Sequence, residues 1–275
     1  MENLTTSQIT DLRQSVPYAK YIRSIGWKVI EITDPRSQIL VFIRPLGILG
    51  AIAKIQRANL PLSWNKIRPV LRKHRVWMTK LEPTNSSPLP KGFHQDKWPL
   101  LATKTLRINL TPSLATINNR FKKDARYSLR KIKITKHQMQ KNDFAGFYKL
   151  WRQANGVKKL WTPPPRHFES LVDCFASNCF CITIDNLAGA VVLIHDQVAY
   201  YYYAAALPEA KRKLLPYLVI WECIKEAKKQ GCTIWDWEGI YDSRWPNKGW
   251  QGFTHFKKSF GGYEVLFPGS FTKWF

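Results

Sequence analysis

Acidic residues are scarce in this sequence, and the motifs of several common enzyme classes are missing from it. Asp and Glu number 19 against 43 Lys and Arg, which gives a net charge of +24 and a pI of about 10.0. No two of the five cysteines form a CxxC pair, the six histidines stand apart, and no HExxH or GxSxG motif occurs. A zinc enzyme and a serine hydrolase therefore gain no support, and we expect the cysteines to be reduced core residues of an intracellular protein.

Long apolar segments are also missing. No apolar run reaches the roughly 20 residues that a membrane-spanning helix requires, and the polar segment 1–11 does not resemble a signal peptide. We therefore expect a cytoplasmic protein that can touch the membrane face. The excess of cations is typical of a protein that meets a polyanion, either nucleic acid or an anionic membrane surface. A generally basic proteome is the plainer alternative.

The hydrophobic pattern predicts a mixed α/β fold. In the first half it indicates a helix starting at Ser15 and ending at Gly26, a second helix around 67–71, and strands at 28–31, 39–44, 48–56, 76–81 and 105–110, with a turn at 34–36. In the second half it indicates helices at 144–153 and 168–175, strands at 179–184, 190–194 and 198–204, a helix from Pro216 to Gly231, and a strand at 234–237. The second order is that of an acyltransferase domain of the GNAT type, and the first half repeats it loosely.

A predicted helix over residues 120–136 carries an apolar stripe beside an almost purely cationic face. Asp124 is its only acid, whereas a solvated helix face normally mixes the two signs of charge. A phosphate-contacting helix is therefore favoured over a solvated one. Its candidate phosphate ligands are Lys122, Arg126, Arg130 and Lys131.

Glycine is absent from the junction at residues 206–216, where a GNAT enzyme holds the pyrophosphate of acyl-CoA. Such a loop needs free backbone amides at a helix N-terminus, and bulky residues leave few of them accessible. Acetyl-CoA is therefore disfavoured as the donor, and we expect no cofactor and no metal.

The segment from Ile234 to Gly262 concentrates the remaining chemistry. A short apolar strand ends in Asp236 and Glu238, and the pair Lys257 and Lys258 follows among aromatic residues. Aromatic side chains beside cations suit a channel for a nucleotide or another flat ligand. A Trp-rich sheet edge with solvated lysines is the alternative.

Several of these motifs, taken in order along the chain, resemble the Fem family of aminoacyltransferases, which build the peptide branches of peptidoglycan precursors. They are the segments 201–205, 236–240 and 252–262, the helix from Pro216, and Arg126-Tyr127-Ser128-Leu129-Arg130, in which Ser replaces the family's Asn. The family's Arg-Gly-Pro strip is here Arg57-Ala58-Asn59-Leu60-Pro61, a departure that bears on the acceptor site.

The resemblance implies two GNAT-like domains packed together, over residues 1–115 and 116–275, with no coiled-coil arm and the C-terminal segment packing back on the first domain. It implies transfer of an amino acid from aminoacyl-tRNA to an amine of a stem peptide, on a lipid-linked or nucleotide-linked peptidoglycan precursor. We expect a monomer in the cytoplasm, with peripheral contact to the inner membrane face.

The same resemblance suggests roles for individual residues. Lys257 is expected to stabilise an oxyanion. Asp236 is expected either to accept a proton or to fix the Trp-rich loop, with Glu238 and the substrate itself as other proton acceptors. Phe256 and Lys258 are expected to join the cationic helix in binding the tRNA. The candidate acceptor ligands are Tyr201 and Tyr203, predicted to point the same way on their strand, together with Lys20, Arg23 and Arg57.

Two other functions remain open at this point. One is an N-acyltransferase of the same fold that acts on an amino sugar or a polysaccharide amine. The other is an RNA-binding module that has lost its chemistry. The glycine-free junction disfavours the first, and the intact segment from Phe256 to Gly262 disfavours the second.

Overall fold

The computed structural model describes residues 9–34, 37–132 and 137–275, and the chain divides into two compact units. The first unit consists of Met1–Lys104, Asp242–Trp245 and Leu266–Phe275, and the second of Thr105–Tyr241 and Pro246–Val265. The predicted turn at 35–36 and the end of the cationic helix at 133–136 lie outside the described residues.

A mixed sheet forms the centre of the first unit. Its strand order is β1 (Lys28–Asp34), β2 (Ser37–Pro45), β3 (Ala51–Gln56), β4 (Val76–Glu82), β13 (Phe271–Trp274) and β5 (His94–Gln95). Strands β3 and β4 are parallel, and helix α2 (Trp64–Lys73) connects them; the other neighbouring strands are antiparallel. The apolar residues that alternate along these strands pack on α2 through Ile67 and Leu71.

Helix α1 (Val16–Ser24) precedes this sheet and forms where the sequence predicted it. The side chain of Ser15 accepts a hydrogen bond from the amide of Tyr18 at 3.2 Å, and a proline occupies the first turn. Gly26, with a φ of 86°, ends the helix.

A second mixed sheet forms the centre of the second unit. Its strand order is β12 (Tyr263–Leu266), β6 (Lys104–Asn109), β11 (Ile234–Asp236), β10 (Val198–Ala206), β9 (Ala188–His195), β8 (Cys179–Ile184) and β7 (Met139–Lys141). Strands β10 and β11 are parallel, and α7 (Pro208–Arg212) and α8 (Leu215–Lys229) connect them. The remaining described helices of this unit are α3 (Leu114–Asn119), α4 (Lys123–Ile132), α5 (Phe144–Val157), α6 (Pro165–Phe175) and α9 (Gln251–Lys258).

The core of the second unit surrounds β11. Trp235 and Trp237 are fully buried, and they share one cluster with the inner faces of α4 and α8. This packing fixes the end of β11, from which the candidate site is built.

The predicted fold class, a mixed α/β protein, is confirmed. No described helix is longer than the 15 residues of α8, and none of them has both the length and the hydrophobicity to cross a membrane. All five cysteines are free thiols, and four of them are buried, as predicted for reduced core residues.

One strand boundary was predicted wrongly, and one helix was not predicted. The strand expected from residue 48 begins at Ala51, because residues 47–49 form a short 3₁₀ helix between Gly47 and Gly50, both at positive φ. The sequence also gave no indication of α9, the helix that carries both lysines of the basic pair.

Candidate active site

The side chain of Asp236, the last residue of β11, links this strand to its neighbour β6. Its carboxylate accepts hydrogen bonds from Thr105 Oγ1 at 2.6 Å and from Arg107 Nε at 2.7 Å, both on β6. It also accepts one from the backbone amide of Glu238 at 2.8 Å. All of these groups are buried or half-buried, and the Asp236 carboxylate raises the pKa of the Arg107 guanidinium further above its usual range, against the effect of burial. These contacts support the structural alternative for Asp236 over proton transfer.

The turn after β11 aims two backbone carbonyls at one point. Glu238 adopts a φ of 57° and Gly239 a φ of 131°, both in the range that side chains of L-residues rarely adopt. The carbonyl oxygens of Trp237 and Gly239 lie 2.8 Å and 2.6 Å from Nζ of Lys257, which donates a hydrogen bond to each. The strained turn therefore serves as a clamp for the Lys257 ammonium.

Lys257 is held in a largely desolvated position on α9. Burial lowers the pKa of its ammonium to about 8, although the carboxylates of Glu238 and Asp236 act in the opposite direction. The Nζ atom lies 4.8 Å from the ring centre of Phe253 and 5.8 Å from that of Tyr201. Two of its three N–H bonds donate to the carbonyls, and one N–H bond remains. The site thus offers a fixed, mostly protonated donor at neutral pH.

Phe256 lies one residue before Lys257 and packs partly into the core. Its ring is 5.0 Å from that of Tyr217 and 5.4 Å from that of Phe260, in edge-to-face geometry. The ring contacts with Tyr217 and Phe260 hold Phe256 in place on α9. Because the residue is only half-buried, its exposed edge is available to line a binding site.

Lys258 is directed elsewhere. Its Nζ atom forms an ion pair of 2.6 Å with Glu264. The basic pair therefore separates into one buried ammonium and one half-exposed ion pair.

Helix α4 forms part of a cationic cavity of about 720 Å³. Its lining comes from α3 and α4 and contains no acid; the lining residues are Ala115, Asn118, Asn119, Lys123, Arg126, Leu129 and Arg130. Arg126 and Arg130 are exposed, and the apolar stripe of the helix is buried, as predicted. Lys122 is exposed just before the helix.

Lys131 lies on a different cavity, of about 320 Å³, whose other ionisable lining residues are His137, Asp185, Arg212 and Lys213. His137 Nδ1 lies 2.7 Å from Asp185 Oδ2, and hydrogen bonds from His137 and from the backbone amide of Gln138 lower the pKa of the Asp185 carboxyl against the effect of burial. The four cations predicted to act together therefore do not share one cavity.

The predicted common orientation of Tyr201 and Tyr203 is wrong. The register of β10 on β9 shifts between these residues, because a β-bulge places the extra residue Tyr202 there. Tyr201 packs at 5.3 Å from Trp237, whereas Tyr203 packs at 4.2 Å from Trp151, on the α5 side of the sheet. Of the two, only Tyr201 shares its surroundings with Lys257.

The three acceptor candidates of the first unit differ in accessibility. Lys20 is exposed on α1, and Arg23 is exposed but forms an ion pair of 2.9 Å with Glu31. Arg57 is buried instead of facing a ligand, which the sequence did not indicate. Its guanidinium donates to the carbonyl of Ala102 at 2.6 Å and stacks 3.5 Å above the ring of Phe267.

Sequence reasoning missed three residues that shape the site: Thr105 and Arg107, which hold Asp236, and Phe253, which covers Lys257. A polar residue at each alternate position of β6 was a usable signal, because Thr105 and Arg107 face the same side of a strand. Phe253 had no such signal without the knowledge that residues 251–258 are helical.

Residues 182–274, which include β10, β11 and α9, match the model of the FemAB family. A search of curated proteins gives no significant match. Among solved structures, the crystal structure of FemX superposes with a TM-score of 0.80 at 14% sequence identity, covering 98% of this chain and 93% of FemX.

Two further structures share the fold at lower similarity. The C-terminal domain of a putative lysylphosphatidylglycerol synthetase from Agrobacterium fabrum gives a TM-score of 0.60 at 12% identity, covering 95% of this chain and 88% of that domain. A tandem GNAT protein from the clavulanic acid biosynthesis pathway gives 0.51 at 11% identity, covering 90% and 83%. The FemAB match of residues 182–274, on a fold shared with FemX, confirms the predicted resemblance to the Fem family.

Proposed function

We propose that this protein transfers an amino acid from aminoacyl-tRNA to an amine on the stem peptide of a peptidoglycan precursor, forming an interpeptide branch. The observation that carries the proposal is the Lys257 ammonium, clamped by the carbonyls of Trp237 and Gly239 within the FemAB-matching segment. The precursor is lipid-linked or nucleotide-linked, and the protein acts as a cytoplasmic monomer, at the membrane face when its acceptor is lipid-linked.

The reaction begins with attack of the acceptor amine on the ester carbonyl that joins the amino acid to the terminal ribose of the tRNA. The new C–N bond forms, negative charge develops on the carbonyl oxygen, and the C–O bond to the ribose then breaks. A fixed donor in a desolvated site stabilises such an oxyanion without having to reorganise. The remaining N–H bond of Lys257 fits that role. Because an ester is already activated, positioning and this stabilisation suffice without a covalent enzyme intermediate.

The attacking amine must lose a proton, and the leaving ribose oxygen must gain one. Both carboxylate oxygens of Asp236 already accept hydrogen bonds, from Thr105 and Arg107. We therefore assign the transfer to the substrate itself, with the proton passing from the amine to the ribose oxygen, and give Asp236 the structural role.

The phosphates of the tRNA are the proposed ligands of the cationic residues on α4. The cavity lined by Arg126 and Arg130 has a wide cationic wall without acids, and Lys122 extends it along the exposed face of the helix. Phe256 directly precedes Lys257 and suits contacts with the aminoacyl end. Lys258 and Lys131 are secondary candidates, since Lys258 is paired with Glu264 and Lys131 lies on the smaller cavity.

The acceptor side rests on fewer contacts. Lys20 and Arg23 are both exposed, and Arg23 is engaged in its ion pair with Glu31, so Lys20 is the preferred acceptor-phosphate ligand. Burial removes Arg57 from this set, and the bulge at Tyr202 removes Tyr203, so Tyr201 is the tyrosine that we retain at the acceptor.

Transfer of radiolabelled amino acids from a mixed pool of charged tRNA to purified precursors tests the proposal. Lipid-linked and nucleotide-linked muropeptides are supplied in parallel, with and without prior RNase treatment of the pool. We expect label on one precursor, lost after RNase. RNase-resistant transfer from an acyl donor would establish the N-acyltransferase alternative, and RNA binding without transfer would establish the binding module.

A further inference from the structure

Three segments that are distant in sequence meet at one end of the first unit's sheet. Strand β2 ends at Pro45, which pairs with Ala51 at the start of β3, and Ala51 pairs with Val76 at the start of β4. Trp274, at the end of β13, pairs with Met78. The β2–β3 loop, the α2–β4 turn and the last residues of the chain are therefore neighbours.

Large apolar side chains project from this end into solvent. Ile48 is 90% exposed and Leu49 71%, both on the β2–β3 loop, and Trp274 is 65% exposed. Leu46, Trp77 and Phe275 are also exposed. We name these six residues the apolar tip: Leu46, Ile48, Leu49, Trp77, Trp274 and Phe275. Clustered exposure of this kind marks an interaction surface, whereas scattered apolar residues do not.

The apolar tip is a built feature of the fold. The amide of Leu46 donates to the carbonyl of Gly50 at 2.8 Å, which closes the loop around its 3₁₀ turn. A Cβ atom at Gly50 would lie only 2.6 Å from the carbonyl oxygen of Arg75, so the loop packs tightly on the α2–β4 turn. Trp77 and Trp274 stack with ring centres 5.5 Å apart. Ile48 and Leu49 are therefore held outward by a rigid support.

Cations surround the apolar tip. Helix α2 and its following turn expose Arg68, Arg72, Lys73 and Arg75, and Lys28 is exposed at the start of β1. Burial lowers the pKa of His74, and the positive charges of Lys28 and Lys73 lower it further. These cations therefore lie close to the α2–β4 turn. No Asp or Glu occurs in the sequence between Asp34 and Glu82.

We propose that the apolar tip and its cationic border dock this protein on an anionic phospholipid bilayer. Aliphatic side chains that insert, indoles at the level of the headgroups, and Lys and Arg facing anionic lipids are the three components of a peripheral membrane contact. Each Lys or Arg at such a surface contributes about fivefold in binding. An RNA partner would use the cations but would leave Ile48 and Leu49 in water, since single-stranded bases stack on aromatic rings.

This proposal stands apart from the transfer reaction, because lipid binding requires neither tRNA nor acceptor. Its test is flotation of the full chain with vesicles of phosphatidylcholine alone or with about one third phosphatidylglycerol. The first variant is Ile48→Ser with Leu49→Ser, and the second is Arg72→Gln with Lys73→Gln. The matched controls lie in the second unit: Val157→Ser with Leu160→Ser, which are also exposed apolar residues, and Lys149→Gln with Arg152→Gln.

We expect the wild type to float with the anionic vesicles and each first-unit variant to bind at least about tenfold more weakly, because side-chain insertion and charge both contribute. The controls should bind like the wild type. Equal binding by all variants would overturn the proposal. If only the charge variant binds vesicles more weakly, the contact is non-specific electrostatic attraction, and the proposed insertion of Ile48 and Leu49 is overturned. If the variants bind RNA more weakly but float like the wild type, the surface is a nucleic-acid site, and the proposal is overturned. Circular dichroism of each variant checks folding, and exposed positions such as Ile48 should not affect it.

Discussion

Lys257 Nζ donates a hydrogen bond of 2.6 Å to the carbonyl oxygen of Gly239, a residue held at a φ of 131°. A glycine reaches that backbone conformation without the steric cost that a Cβ atom imposes. The position of the ammonium therefore depends on the backbone of a turn 18 residues away in sequence. Several measurable consequences come from this arrangement and from the charges around it.

Gly239→Ala should displace the clamp without removing the lysine. The added Cβ atom strains the turn and rotates its carbonyl, and a misplacement of about 1 Å in a catalytic group can cost up to 10²-fold in rate. We expect turnover to fall by about tenfold or more, with tRNA affinity unchanged in a binding titration. Gly231→Ala, at a φ of 82° at the other end of β11, introduces similar strain as the control and should keep its turnover. Equal losses in both variants would mean that general destabilisation is responsible.

The contribution of Lys257 to the transfer rate should depend on pH, because only the protonated side chain can stabilise an oxyanion. Burial lowers its pKa to about 8, so the ammonium is present below that pH and is lost as the pH rises through it. The ratio of the wild-type rate to the Lys257→Ala rate cancels the titration of the attacking amine. We expect this ratio to be constant below about pH 8 and to fall above it. A ratio that rises with pH would instead make Lys257 a base.

Asp236→Asn should act mainly on stability. It leaves the Arg107 guanidinium buried without its charge partner, and breaking a buried pair from one side costs about 3–5 kcal/mol. Thermal unfolding should show this loss, while the rate per folded molecule changes little. In a double-mutant cycle, Arg107→Met added to Asp236→Asn should cost less than the sum of the two single changes. A full loss of turnover in a stably folded Asp236→Asn protein would restore its catalytic assignment.

Arg126→Ala and Arg130→Ala should weaken tRNA binding and flatten its dependence on salt. Each phosphate contact that is lost lowers the slope of log affinity against log salt by about 1. Fluorescence anisotropy of labelled tRNA at several salt concentrations measures this slope. Lys229→Ala, an exposed cation at the end of α8, is the control and should leave the slope unchanged. If the arginine variants keep the wild-type slope, the cavity of α4 is not a phosphate site.

The sequence predicted most elements because their signals are local. The cap at Ser15, Pro216 near the start of α8, and the apolar stripe of α4 each act within a few residues, and the structure has the predicted helix at each place. Element order then sufficed for the fold class, since strand, helix and strand in succession restrict the connections that a sheet allows.

The site was less predictable because its contacts are distant in sequence. Lys257 was identified through a family motif, but its clamp depends on the φ angles of Glu238 and Gly239, which no periodicity indicates. The predicted orientation of Tyr203 was wrong because one inserted residue shifts the register of β10. Arg57 was taken for a surface ligand because its burial depends on Ala102 and Phe267, far along the chain.

The central claim is that the Lys257 ammonium stabilises the transition state of aminoacyl transfer. The most direct test is the single-turnover rate of Lys257→Ala with saturating aminoacyl-tRNA and acceptor, alongside Lys229→Ala as an exposed-lysine control. We expect a rate about 10²-fold or more below wild type for Lys257→Ala, with tRNA affinity nearly retained, as expected for loss of one oxyanion donor. A Lys257→Ala protein that transfers at the wild-type rate would contradict it.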